Sequence, residues 1–225
     1  MILRCVLKSG GPYTVEYVQR IHDAIKGQGF KLQCLTDLPA GALPLCEVIP
    51  LRHDWPGWWS KIELFRDDLP HDPVVYIDLD TIVMGDLSDL KAVAETVDFT
   101  ALRGFNQRLK NPTKNQNFAS GVMAGKLHKL SHIYESFKAD PQRHMDKKRE
   151  NWRHGDQGYI ADCIDIDSIP RIQDLTSRDY IIGKRYLGLH GWRIPKSARL
   201  IAWSGKPRLH KINEDHIMSK KWRGR

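Results

Sequence analysis

Four residues, Val74-Val75-Tyr76-Ile77, form an unbroken β-branched and aromatic run between His-Asp-Pro and Asp-Leu-Asp. A strand with no polar alternation is covered on both faces, as in a mostly parallel sheet with helices on each side. The rest of the chain alternates the two periods that such a sheet needs. Residues 2–7 read as a first strand, and Ser9-Gly10-Gly11-Pro12 breaks it. Val15, Val18, Ile21 and Ile25 then recur at helical spacing up to Gly27 and Gly29. Residues 30–35 read as a second strand. Trp58, Trp59, Ile62 and Phe65 mark a short helix after Pro56-Gly57. Leu87, Leu90, Val93 and Val97 mark another, with Asp86 or Ser88 near its start.

Strands follow near 98–102 and 118–124, separated by a polar stretch, 106–117, that reads as a mobile loop. Helices follow at 127–137 and from Gly155-Asp156 to about Cys163. The last 50 residues read as irregular except for a strand near 199–203. The pattern is that of a single α/β domain over 1–210, with a basic tail at 211–225.

With 225 residues, the chain buries a full core without disulfide or metal staples. Its apolar runs span only a few residues, so no transmembrane segment and no signal-peptide core is expected. Cys5, Cys34, Cys46 and Cys163 show no C-x-x-C spacing and read as reduced, buried thiols, which predicts a cytoplasmic location. Thirty-five Lys and Arg against 27 Asp and Glu give a net charge of +8. The excess gathers at 138–153 and in the tail, and favours anionic partners such as nucleotides, nucleic acid or an anionic glycan. A solvated face and a frayed end are the plainer reading of the same charges.

Asp78 and Asp80 carry the sharpest chemistry. They alternate at the end of the buried run, so an extended chain points both to one face. Paired carboxylates repel unless a cation bridges them, and a hard divalent ion with oxygen ligands does so. Open α/β sheets bind ligands at the carboxyl ends of their strands. His128 and His132 stand four apart on a predicted helix, but no carboxylate completes a metal motif, and they read as an exposed polar face. Trp58 and Trp59 read as packing beneath the strand that carries Asp78, with stacking of one on a sugar as the alternative.

Residues 74–83, followed by Gly85-Asp86-Leu87 and Asp89-Leu90, resemble the D-x-D block of glycosyltransferase family 8. Further segments match in order over roughly 1–210. Gly11-Pro12-Tyr13 resembles the nucleobase loop, with Tyr13 at the stacking position. Lys61 stands where that family has a basic residue facing the diphosphate. Residues 118–123 resemble its Phe-Asn-Ala/Ser-Gly-Val block, with Ala119 in place of the Asn. His154-Gly155-Asp156-Gln157 resembles the segment beside the reacting sugar. Residues 203–207 resemble its closing block, in which Gly205 and Lys206 contact the diphosphate.

The resemblance implies a GT-A fold and a retaining transferase that takes a sugar from a nucleotide-sugar donor, here a UDP-sugar. It implies Mn2+ or Mg2+ held by Asp78 and Asp80, with Asp156 and Gln157 at the sugar. The third family ligand is a histidine, and Ala202 occupies its position. His190 and His210 are near but out of register, and His210 is the candidate replacement. The charge keeps two alternatives in view: a transferase whose acceptor is DNA, and a nucleic-acid-binding protein with a degenerate sugar site. Phosphoryl or nucleotidyl transfer also uses paired carboxylates, although no P-loop motif is present.

Overall fold

A computed structural model of the chain describes residues 1–105, 118–148, 155–203 and 205–224. The expected stretch 106–117 lies outside them, as do Arg149, Arg153, His154 and Ser204. The chain starts as β1 (Ile2–Leu7), crosses over through α1 (Val15–Ile25) to β2 (Lys31–Thr36), and continues to β3 (Glu47–Pro50). A 3-10 helix at Gly57–Phe65 precedes β4 (Val74–Ile77), the unbroken run, and a short β5 (Thr81–Val83) follows. Next come α2 (Ser88–Thr96), β6 (Phe99–Leu102) and β7 (Ala119–Gly125).

The main sheet has the order β3-β2-β1-β4-β7-β6. Strands β1 to β4 run parallel, while β7 is antiparallel to both β4 and β6. The chain therefore moves outward from β1 through β2 to β3, then returns to place β4 on the other side of β1. The order reverses between β1 and β4, at whose carboxyl ends an open α/β sheet binds its ligands.

The pleat of β4 serves two cores. Val75 and Ile77 enter the face shared with α1 and α2, while Val74 and Tyr76 enter the other. That second face is covered by the 3-10 helix, by α3 (Ser131–Ala139), which precedes α4 (Pro141–Asp146), and by α5 (Gly155–Cys163). The helix expected at 127–137 is split: residues Leu127–Leu130 form a 3-10 turn before α3.

The 3-10 helix puts residues three apart on one edge. Trp59, Ile62 and Phe65 all face the core, whereas Trp58 and Lys61 share a different edge. After α6 (Ile172–Leu175), the strand expected near 199–203 is β9 (Leu200–Ala202), and the rest of the last 50 residues is more ordered than its sequence suggests. Here β8 (Ile181–Gly183) and α7 (Lys184–Leu189) appear, and β5, β9 and β8 make a second small sheet. Lys220, Lys221 and Trp222 are not part of a frayed end. They belong to α8 (Ile217–Trp222), whose Met218 and Trp222 are buried in the main core, with the Trp222 ring 4.9 Å from that of Tyr17. Among the described residues, no helix is long and apolar enough to cross a membrane, and the four cysteines form no disulfide.

Candidate active site

Strand β4 stops at Ile77. The Asp78 amide donates to Gly121 O on β7 at 2.8 Å, and the Thr81 amide returns to Asp78 O at 2.9 Å. Asp78 to Thr81 is thus a turn. The two carboxylates are brought together by that turn and not by the strand alternation expected from the sequence. The Trp203 amide donates to Asp80 O at 3.0 Å, which draws the end of β9 to the same place.

Asp78 belongs to a buried charge cluster. Its Oδ1 accepts from Tyr76 Oη at 2.5 Å and lies 2.9 Å from Lys61 Nζ. The same Nζ lies 2.7 Å from Asp156 Oδ2, which also accepts from Ser120 Oγ at 3.0 Å. Burial works against the Lys61 charge, but Asp156 and Asp78 outweigh it and hold the ammonium above the usual lysine range. Burial pushes the Asp78 carboxyl up, Lys61 pulls it down, and the charge on Asp156 pushes it up again, with a net upward shift. Lys61, expected to face a diphosphate, ties the end of β4 to the first turn of α5 through these two carboxylates. Gln157, next on α5, accepts from the Ser120 amide at 3.4 Å.

Asp80 has different partners. Its Oδ2 accepts from Tyr13 Oη at 2.8 Å and from Arg208 Nη1 at 3.2 Å. Arg208 Nη1 also bonds Tyr13 Oη, and the guanidinium lies 4.9 Å from the centroid of the Tyr13 ring. Burial and then the charge on Asp78 raise the Asp80 carboxyl to about 6, against the pull of Tyr13 and Arg208. The loop that carries Tyr13 is anchored at its start by Asp37, which accepts from the Ser9 amide at 2.8 Å, Ser9 Oγ at 2.6 Å and Lys8 Nζ at 2.6 Å.

In the closing block, Gly205 and Lys206 are exposed, and the Lys206 carbonyl accepts from Lys184 Nζ at 2.6 Å. Just past it, Arg208 reaches Asp80, a contact the sequence reading missed. Its only signal is a second basic residue just past Lys206-Pro207. His210 does not join Asp78 and Asp80: its Nδ1 is 2.7 Å from Tyr17 Oη. Among the described residues, no three His, Cys, Asp or Glu side chains are grouped as a metal site.

The two carboxylates nevertheless suit a hard cation. Among the described residues, no hydrogen bond reaches Asp78 Oδ2 or Asp80 Oδ1. A Cβ at Gly121 would lie 3.3 Å from Asp78 Oδ2, so the glycine keeps that oxygen clear. Three acidic groups (Asp78, Asp80, Asp156) face two basic ones (Lys61, Arg208), which leaves room for added positive charge.

The paired tryptophans part company. Trp59 is buried at 8% exposure and stacks on Phe137, whereas Trp58 is 62% exposed. The Trp58 indole lies against Gly155, where a Cβ would come within 2.5 Å of Nε1. Trp58 therefore stands at the start of α5, beside Asp156, and not under the strand. His128 stacks on His71, while His132 Nε2 lies 3.1 Å from Cys163 O, so the pair shares no site. In the basic run, Lys138 pairs with Glu135 and Lys147 with Asp162.

No protein-family profile matches the sequence, and no curated protein matches it. Solved structures do match. An active-site mutant of LgtC superposes with a TM-score of 0.68 at 11% identity, covering 100% of this chain and 94% of that one. The galactosyltransferase LgtC in complex with donor and acceptor sugar analogues gives 0.65 at 12% identity, covering 98% and 94%. The glycosyltransferase GlyE of Streptococcus pneumoniae gives 0.68 at 16% identity, covering 99% of this chain and 60% of GlyE. The chain has the GT-A fold of these glycosyltransferases.

Proposed function

We infer that this chain is a divalent-metal-dependent, retaining glycosyltransferase with a UDP-sugar as donor. One observation carries the reading. Two carboxylates with open oxygens meet at the carboxyl end of the central strand of a GT-A fold, with Lys61 beside one and Arg208 beside the other. The likeness to LgtC and GlyE supports it.

Asp78 and Asp80 would hold the ion, which supplies Lewis-acid stabilisation to a departing diphosphate. The other roles fall to the chain itself. Arg208 adds positive charge beside Asp80. Tyr13 lines the nucleobase side. Asp156 faces the sugar, and its carboxylate is held in one orientation by Lys61 and Ser120. A carboxylate placed there stabilises the positive character that the anomeric carbon gains as its bond to the diphosphate breaks. Gln157 is placed to orient sugar hydroxyls.

The test is a thermal-shift panel of nucleoside diphosphates and nucleotide sugars, with and without Mn2+. Ligand at 100 times Kd stabilises by about 2.7 kcal/mol. UDP and a UDP-sugar should raise the melting temperature, and more so with Mn2+. A panel in which no nucleotide moves it removes this reading.

A further inference from the structure

We propose that Arg208 is a displaceable counter-cation of the site. It neutralises Asp80 while the site is empty and moves to the diphosphate when the donor enters. This rests on the donor reading above, and concerns how the site changes partners as it fills.

Four observations place Arg208 in this role. Its guanidinium holds Asp80 Oδ2 at 3.2 Å and also bonds Tyr13 Oη, so one side chain closes both the carboxylate and the nucleobase position. It lies 4.9 Å over the Tyr13 ring, while the edge contact with Tyr17, at 5.0 Å, occupies another part of that ring. A base stacking on the Arg208 side of Tyr13 requires the guanidinium to leave. Arg208 has no carboxylate partner besides Asp80 among the described residues, and its side chain is 26% exposed, so a solvated path outward exists. Lys61, by contrast, is locked between Asp78 and Asp156 at 9% exposure and cannot change partners.

A planar guanidinium binds carboxylate and phosphate oxygens with the same fork geometry, so the exchange keeps its hydrogen bonds. The consequence is a pair of opposite effects. Arg208 repels a metal ion arriving at Asp80 and attracts a nucleoside diphosphate. The two ligands should therefore respond with opposite sign to loss of one charge.

The experiment is calorimetric titration of MnCl2 alone and UDP alone into wild type, Arg208→Gln and Arg208→Lys. Each protein's melting temperature is recorded beforehand. In Arg208→Gln, Mn2+ should bind about tenfold tighter and UDP about tenfold weaker than in wild type. Arg208→Lys keeps the charge but loses the fork. It should leave Mn2+ affinity near the wild-type value and weaken UDP about threefold, and it stands in if the Gln variant does not fold. In Arg208→Gln, unchanged affinities or shifts of the same sign overturn the proposal, as does an unchanged UDP affinity in Arg208→Lys, while the donor reading stays intact. Wild type that binds neither UDP nor Mn2+ overturns both.

Discussion

Lys61 Nζ lies 2.7 Å from Asp156 Oδ2, and both side chains are almost fully buried. This pair joins the 3-10 helix to the first turn of α5, and through Asp78 it joins both to the central strand. An ion pair in such surroundings costs desolvation, so its value lies in fixing geometry more than in stability. Lys61→Met should therefore disturb the site at two points, by leaving Asp78 and Asp156 as uncompensated buried charges. A loss of about 3–5 kcal/mol in urea unfolding is expected. A variant as stable as wild type would show that the carboxylates relax without their cation.

Asp80→Asn separates stability from turnover. The substitution removes a buried charge held beside Asp78, so the melting temperature at neutral pH should equal or exceed that of wild type. Turnover should fall by roughly a hundredfold or more, since a metal Lewis acid contributes several kcal/mol. A normal rate at saturating donor would take Asp80 out of the metal site.

Ala202 pairs with Thr81 across β9 and β5, next to Trp203, whose amide reaches Asp80. An imidazole at that position adds a donor that His210, bonded to Tyr17, does not give. Ala202→His should tighten Mn2+ binding to nucleotide-free protein by roughly tenfold. If His210→Ala weakens it instead, while Ala202→His does nothing, the third ligand is His210.

Asp37 is worth testing by acid. Burial pushes its carboxyl up, but the hydrogen bonds from Lys8 and Ser9 prevail and hold it at about 2. A depressed carboxylate adds stability that is complete above the unfolded value of 3.8 and is lost as pH falls through about 2. Asp37 is exposed and its contacts are screened by solvent, so Asp37→Asn should cost about 1 kcal/mol at pH 7 and almost nothing near pH 2. Denaturant midpoints at the two pH values decide it, and an equal cost at both would assign the effect to packing.

Trp58 offers an open indole face beside Asp156. Trp58→Ala should raise the KM for a saccharide acceptor roughly tenfold, with the Kd for UDP unchanged. An unaltered acceptor KM would leave the ring as surface.

The sequence was most legible where one period ran without interruption. Val74 to Ile77 read as a buried strand because the run has no polar break, and α1 because Val18, Ile21 and Ile25 keep helical spacing. The strand near 199–203 was legible and is β9, but β5 and β8 are three residues each, too short for a period to show, and the sheet the three form depends on partners far apart in the chain. β3 ends in proline and lies at a sheet edge, where its missing donor does no harm. In the candidate site, Asp78, Asp80, Tyr13 and Asp156 were legible as residues, but their convergence was not. A turn after Ile77 replaced the pleat, and only the fold puts Lys61 under Asp156 or Arg208 over Tyr13. A 3-10 turn in place of an α-helix accounts for Trp58, because a three-residue period sends Trp59 inward and leaves Trp58 beside Lys61.

The rings of Tyr13, Tyr17 and Trp222 touch in series, at 5.0 and 4.9 Å, from the loop after β1 to the last helical turn. Residues near the carboxyl terminus thus act as a backstop for a side chain at the other end of the chain. A truncation before Ile217 removes that support of Tyr13 while leaving Asp78 and Asp80 in the chain. Binding measured on such a shortened chain will then mix a loss of folding with a loss of the Tyr13 position, unless both are measured on the same sample.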